Sequence, residues 1–365
     1  MKILHTADIH LDSPFSSCDA KEARIKRDAM REAFSSMMQY IKEEKIPLVL
    51  IAGDLFDHGF VTKKTAETLS AAFAALPETR FVISPGNHDP YVKGGVYTAG
   101  IFPSNVYIFK NEELEKISFD ELGVDVYGYA FTSERLEVSP LAQKHAEDTG
   151  NIPLLCIHAD LTSPISKNAP VSRADIAAFG ARYAALGHIH KGEIGEGCAY
   201  PGCLIGRSFD ETGEKGALLV DIDGNGGVKI EKKVFSKVKY EVERIDITGA
   251  EKDTDAIAAI NRMIEEKGYA ADTTLRAVLC GEVSPSYIPM TEQIENSITE
   301  VSVEVKDETL PIFDSDALDA DMTLRGEVWR VLKEKLATGT PEEREIAKKA
   351  LGYALAALDG RAINE

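Results

Sequence analysis

Short apolar runs of strand length recur along the first half of the chain, and each ends in a turn that carries Asp, Asn or His. They are "KILHTADIH" (2–10), "IPLVLIAGD" (46–54), "RFVISPGNHD" (80–89), "IPLLCIHAD" (152–160) and "RYAALGHIH" (182–190). Runs that are apolar almost without a break predict strands buried on both faces. Between the first two, residues 21–44 place Ile25, Ala29, Ala33, Met37 and Ile41 at four-residue steps and predict a helix. Strands alternating with helices predict a layered α/β core.

After His190 the pattern changes. "GALLVDID", "GVKIEKKVF" and "KYEVERIDI" predict short strands parted by Gly and Asn turns, which finish the core near residue 240. Residues 241–310 predict a compact α+β unit: a strand, a helix over "DTDAIAAINRMIEEKG", a strand over "TLRAVLCGEV" and another near 300–305. From 314 onward the tail predicts helices, with Leu324, Val328, Val331, Leu332 and Leu336 on one face. A second tail helix should begin at "TPEE", with Thr340 as cap, Pro341 in the first position and Glu343 closing a capping box. The expected division is a core over 1–240, an α+β domain over 241–310 and a helical tail over 311–365.

Composition adds limits. The 365 residues, 44% hydrophobic and 28% charged, are those of an ordinary globular protein with more than one domain. The cysteines (Cys18, Cys156, Cys198, Cys203 and Cys280) are odd in number and scattered, which fits a reduced, cytoplasmic protein. Cys198 and Cys203 supply at most half of a zinc site. No apolar run reaches membrane length, and the first residues lack a signal-peptide pattern, so no membrane association is expected.

A net charge of −19 argues against nucleic-acid binding through bulk charge. The acidity is unevenly spread: residues 241–365 carry 27 acidic and 14 basic side chains, so most of it lies away from the strand-end motifs. Basic groups nearer those motifs are "KEARIKR" (21–27) with Arg31, and Lys191 and Arg207.

In a layered α/β fold the loops after the strands converge at one edge. Asp8, His10, Asp54, Asn87, His158, His188 and His190 can therefore meet in one cleft. Side chains two apart on an extended chain face the same way, which pairs Asp8 with His10 and His188 with His190. A single Asp after a strand is ordinarily a turn or cap residue, and a single loop His ordinarily a surface one. Histidines at 10, 88, 158, 188 and 190 need another reason, because turn chemistry has no use for imidazole. Four imidazoles, two carboxylates and an amide suit manganese, iron or zinc. His5 reads as a strand residue and His145 as a helix residue, and His58 is left undecided.

The ordered set "DIH", "GDLFD", "GNHD", "IHAD" and "GHIH" resembles the five signatures of the calcineurin-like metallophosphoesterases, over residues 1–190. "HTADIHLDSPF", "YPGCLIGRSFDETGEKG" and the α+β unit followed by helices are similar to the SbcD-type DNA-repair nucleases, especially their YhaO-like bacterial branch. The resemblance implies a four-layer αββα core, a small capping domain and a helical tail. It implies two divalent ions, manganese first, with iron or zinc as alternatives. One would be held by Asp8, His10, Asp54 and His190, the other by Asp54, Asn87, His158 and His188. Ions roughly 3.5–4 Å apart can share a hydroxide and stabilise both the attacking and leaving oxygens of a displacement. Two ions against two ligand carboxylates leave a local charge of about +2, which attracts a phosphodiester whatever the net charge.

His88 is implied as proton donor to the leaving oxygen, with Asp89 beside it orienting the ring; a second reading gives His88 a hydrogen-bonding role only. Asp57 stands where some archaeal relatives have His and is given a supporting role. Asp12 reads either as a partner of a ligating His or as a helix cap. The implied activity is a DNA exo- or endonuclease whose partner is an SbcC-like coiled-coil ATPase, with a homodimer left open. The alternatives are a small-molecule phosphodiesterase or phosphatase and a non-catalytic scaffold subunit.

Overall fold

The continuous apolar runs fold as strands because both of their faces are covered. The computed structural model describes residues 1–16, 20–224, 226–284 and 287–358. Two compact units divide the chain, Met1–Lys239 and Tyr240–Glu365.

In the first unit the elements are β1 (Lys2–Thr6), α1 (Ala20–Glu43), β2 (Leu48–Ile51), α2 (Lys63–Ala74), β3 (Arg80–Ile83), β4 (Val106–Ile108), β5 (Glu115–Phe119), β6 (Val124–Gly128), β7 (Ile152–His158), α3 (Arg173–Phe179), β8 (Tyr183–Gly187), β9 (Glu193–Ile194), β10 (Cys198–Tyr200), β11 (Gly216–Ile222) and β12 (Val228–Val234). They form two six-stranded sheets, ordered β12-β11-β1-β2-β3-β4 and β5-β6-β7-β8-β10-β9. β1 to β4 run parallel, in a register that sets Ile3 beside Leu48 and Thr6 beside Ile51. β6, β7, β8 and β10 are likewise parallel.

Strand side chains alternate between two faces. Ile3, Leu48, Leu50 and Val82 point inward to meet Val124, Val126, Leu154 and Cys156 of the second sheet. Leu4, Val49 and Phe81 point outward beneath Met30, Phe34 and Met37 of α1 and Leu69 and Phe73 of α2. Leu155, Ile157 and Leu186 on the far side are covered by Ile176 and Phe179 of α3. The order of layers is αββα. On α1 the four-residue pattern drifts: each step rotates about 40° beyond a full turn, so Ile25 ends 59% exposed while Met37 and Ile41 are buried.

The second unit holds β13 (Lys239–Asp246), α4 (Asp253–Lys267), β14 (Thr273–Cys280), β15 (Glu282–Val283), α5 (Thr291–Asn296), β16 (Ser302–Asp307), β17 (Leu310–Pro311), α6 (Ser315–Ala320), α7 (Leu324–Thr338) and α8 (Pro341–Leu358). β13, β14 and β16 make one sheet, whose core includes Ile260, Ile264, Leu275, Leu279 and Val305. Thr340 and Glu343 form the reciprocal cap of α8, at 3.2 and 2.8 Å. The face of α7 differs from its expected stripe. Val328, Leu332 and Leu336 pack against Leu318, Trp329, Leu351 and Leu355, whereas Leu324 and Val331 are 62% and 73% exposed. Trp329 takes the buried position because α6 and α8 close over its side of the helix.

Candidate metal centre

Beyond β1 and β2 the chain continues side by side instead of turning away. The N–H groups of Asp8, His10 and Leu11 donate to the carbonyls of Gly53, Asp54 and Leu55 at 3.0, 2.9 and 3.0 Å. Asp8, His10, Asp54 and His188 all adopt left-handed backbone, with φ of 50, 50, 53 and 106°. Such conformations are costly for side-chain-bearing residues and gather where geometry serves function. Two glycines permit the convergence. A Cβ on Gly187 would lie 1.7 Å from the carbonyl oxygen of Ala52, and one on Gly53 (φ +89°) 2.3 Å from His158 Nδ1. The ends of β1, β2 and β3 in one sheet thus meet the ends of β7 and β8 in the other.

All seven strand-end residues arrive there. His10 Nε2 and His190 Nε2 are 3.2 Å apart, and His190 Nε2 lies 3.8 Å from Asp8 Oδ1. On the other side His158 Nε2 is 2.9 Å from Asn87 Oδ1. Asp54 stands between the two groups, with Oδ2 at 3.7 Å from His10 Nε2 and 3.5 Å from His158 Nε2. Its other oxygen accepts the His88 N–H at 2.9 Å. The His188 N–H donates to both oxygens of Asp8 at 3.1 Å, its ring lies 5.2 Å from that of His158, and its Nε2 is 3.4 Å from the Asn168 amide.

The electrostatics call for cations. Asp8 and Asp54 are each 1% exposed. Burial and the charge of Asp54 push the Asp8 carboxyl well above its usual range. Burial also works against Asp54, yet the imidazoles of His158, His10 and His88 hold it below that range. Burial lowers His10 and His158, and burial with the neighbouring His158 takes His188 down to about 4. Buried carboxylates facing neutral imidazoles, with two Nε2 atoms crowded together, are stabilised when divalent ions sit among them. Asp8, His10 and His190 bring ligand atoms within one ion's reach, and so do Asp8, Asp54 and His158. The donor set of imidazole, carboxylate and amide suits borderline and hard divalent ions.

The groups behind these imidazoles fix their tautomers. His158 Nδ1 pairs with the Ala52 carbonyl at 2.9 Å, His10 Nδ1 with Asp57 Oδ1 at 2.9 Å, and His190 Nδ1 with Glu211 Oε1 at 2.6 Å. Asp57 also receives His88 Nδ1 at 3.1 Å. Despite burial, the hydrogen bonds from His10 and His88 hold Asp57 well below the usual carboxylate range, and Asp57 in turn raises His88. His88 itself is 53% exposed on a cleft of about 450 Å³, whose walls include Asp57, Phe60, Asn87, Glu134 and Arg207.

Several expectations change. Asp89 does not orient His88. Its carboxylate turns inward and accepts from the N–H groups of Asp54, Gly86 and Leu55 at 3.0, 2.6 and 2.7 Å and from the Tyr97 hydroxyl at 2.5 Å. Burial and the charge of Asp54 push it up to about 8, while these donors pull the other way. Asp89 therefore braces the two loops that carry Asp54 and His88. Asp12 touches no ligating imidazole; it accepts from the N–H of Thr62, at the start of α2, at 3.1 Å and from the guanidinium of Arg31 on α1 at 2.7 Å. His145 lies in a loop, with Nδ1 at 2.9 Å from the Ala178 carbonyl. His58 lines the cleft, and His5 is buried against Tyr183. Cys156, Cys198, Cys203 and Cys280 are free thiols.

Sequence reasoning assigned nothing to Glu211 or Asn168. Glu211 sits within "RSFDETGEKG", a segment singled out for its resemblance alone, and nothing local ties it to a histidine 21 residues earlier.

An αββα sandwich that gathers buried carboxylates and imidazoles at its meeting strand ends is the build of a metal-dependent phosphoesterase. The calcineurin-like phosphoesterase family matches residues 1–192, more than half of the chain, and the protein belongs to that family. It is 30% identical over 281 residues to the uncharacterized metallophosphoesterase YhaO of Bacillus subtilis, covering 73% of this chain and 67% of that protein. It is 24% identical over 306 residues to the DNA double-strand break repair protein Mre11 of Methanopyrus kandleri (75% and 65% covered). Its identity to the Mre11 of Aeropyrum pernix is 26% over 275 residues (67% and 64%). The chain thus matches about two thirds of the length of these relatives. Among the described residues, no helix is long and apolar enough to cross a membrane.

Proposed function

We propose that this phosphoesterase is a DNA nuclease that uses two divalent ions, most simply manganese. The observation that carries the reading is the placement of Asp54, whose Oδ2 faces His10 on one side and His158 on the other. Asp8, His10 and His190 would complete one ion's shell, and Asn87, His158 and His188 the other's. When bound, such ions polarise the phosphate and activate water. Asn87 fills a ligand position without cancelling positive charge. His88, held through Nδ1 by Asp57 and exposed on the cleft, delivers a proton to the leaving oxygen. DNA as the substrate is supported by the two Mre11 relatives, which are named for double-strand break repair.

The test supplies manganese to the purified protein and compares duplex DNA with free ends, closed circles, single strands and bis(p-nitrophenyl) phosphate. Degradation of DNA supports the proposal. Turnover of the small diester alone would favour a small-molecule phosphodiesterase, a reading supported by the −19 net charge.

Residues 241–310 would act as a capping domain. The tail, 311–365, would engage an SbcC-like ATPase through the apolar side chains that α7 leaves exposed, Leu324 and Val331.

A further inference from the structure

Arg207 brings positive charge to the cleft beside His88. Among the described residues that line the cleft, it is the only Lys or Arg. It is not a loose surface cation. Its side chain is 20% exposed, and Glu211 fixes it through three donors: the backbone N–H at 2.8 Å, Nε at 3.2 Å and Nη2 at 2.8 Å. Nη1 has no hydrogen-bond partner among the described residues. Arg207 Nη2 lies 2.8 Å from Nδ1 of His190, and Arg207 lines the same cleft as Asn87 and His88.

Glu211 serves two neighbours at once. It is buried, at 8% exposure, and its Oε1 takes the Nδ1 of His190 as well as the guanidinium. His190 Nδ1 lies 2.6 Å from Glu211 Oε1 and 2.8 Å from Arg207 Nη2; the ionised carboxylate can only accept, so its bond to His190 requires the imidazole proton on Nδ1. One carboxylate therefore sets the tautomer of His190 and the aim of Arg207. A guanidinium locked along one edge by a carboxylate, with its other edge open beside the cleft, is pre-organised for an anion. A chain of net charge −19 has particular use for such a fixed cation, because its overall field repels phosphate.

We propose that Arg207 grips a non-bridging oxygen of the substrate phosphate in this cleft, and that Glu211 is the positioning residue that aims it. The inference rests on the phosphodiesterase reading above and adds the residue that takes the phosphate. The experiment compares the parent chain with Arg207→Ala and Arg207→Lys. It measures bound manganese, inorganic phosphate binding by equilibrium dialysis, and hydrolysis of bis(p-nitrophenyl) phosphate. Arg207→Ala should keep its manganese and bind phosphate about tenfold more weakly or worse, as expected for a lost charge-assisted hydrogen bond. Its KM should rise more than its kcat falls, and Arg207→Lys should recover only part of the loss. Phosphate affinity within about twofold of the parent in Arg207→Ala would overturn the proposal. So would loss of manganese from both variants, which would make Arg207 a strut for His190. If the parent protein bound manganese but cleaved no phosphodiester, the phosphodiesterase reading itself would fail, and this inference with it.

Discussion

Asp57 holds His88: the two meet across a 3.1 Å contact between Oδ1 and Nδ1, and the same oxygen takes His10 Nδ1 at 2.9 Å. The exposed imidazole is thereby aimed over the cleft with Nε2 outward. His88→Ala should retain manganese and lose a factor of about 10² to 10⁴ in kcat on a diester with a poor leaving group. The loss should shrink for a nitrophenolate leaving group, which needs no proton. Equal losses on both substrates would reduce His88 to a binding role.

His5 offers a pH-dependent stability that is separate from the reaction. It is fully buried, pairs with Tyr183 and the Leu186 carbonyl, and burial takes it down to about 3. The unfolded chain therefore binds a proton below about pH 6.5 that the folded chain refuses until about pH 3, so stability falls with pH across that window. Between pH 7 and pH 5 the His5 contribution to this loss is about 2 kcal/mol. Chemical denaturation of His5→Gln at both pH values should give a gap smaller by about that amount. An unchanged gap would mean that the His5 pocket opens to solvent.

Gly187, at the end of β8, lies against the backbone of Ala52 just beyond β2 of the other sheet. Its absent Cβ would sit 1.7 Å from a backbone carbonyl, which cannot rotate aside. Gly187→Ala should cost about 3 kcal/mol, near the upper range for overpacking, and lower the melting temperature by several degrees. Wild-type melting would show that the sheets separate there readily.

The second unit carries its own reporter. Trp329 is the single tryptophan of the chain, buried with Leu351 and bonded through Nε1 to Asp319 at 2.8 Å. Leu351→Ala should destabilise this helical cluster by about 2–5 kcal/mol. Tryptophan emission should then shift to the red at lower denaturant, while hydrolysis of a small phosphodiester stays at the parent rate. A matching loss of hydrolysis would mean that the centre depends on the tail.

The layered core and the meeting of the seven strand-end residues were legible because burial on both faces writes a continuous apolar run. A polar residue that follows such a run has only the strand end to occupy. The partners behind the imidazoles were not legible. Asp89 adjoins His88 in sequence, yet the loop after β3 turns it toward the N–H groups of Asp54, Leu55 and Gly86, and Asp57 reaches the ring from the loop after β2. Glu211 reaches His190 through a long loop that has no periodicity to read. Tail spacing likewise gave a stripe but not its centre, which depends on where α6 and α8 lie.

Asp54 joins the two halves of the centre, because its carboxylate faces His10 on one side and His158 on the other. Manganese bound per chain, measured on the folded parent and on Asp54→Asn, tests it directly. Two equivalents in the parent and loss of both ions in the variant are predicted. A parent that binds one ion, or a variant that keeps both, would contradict a two-ion centre bridged by Asp54.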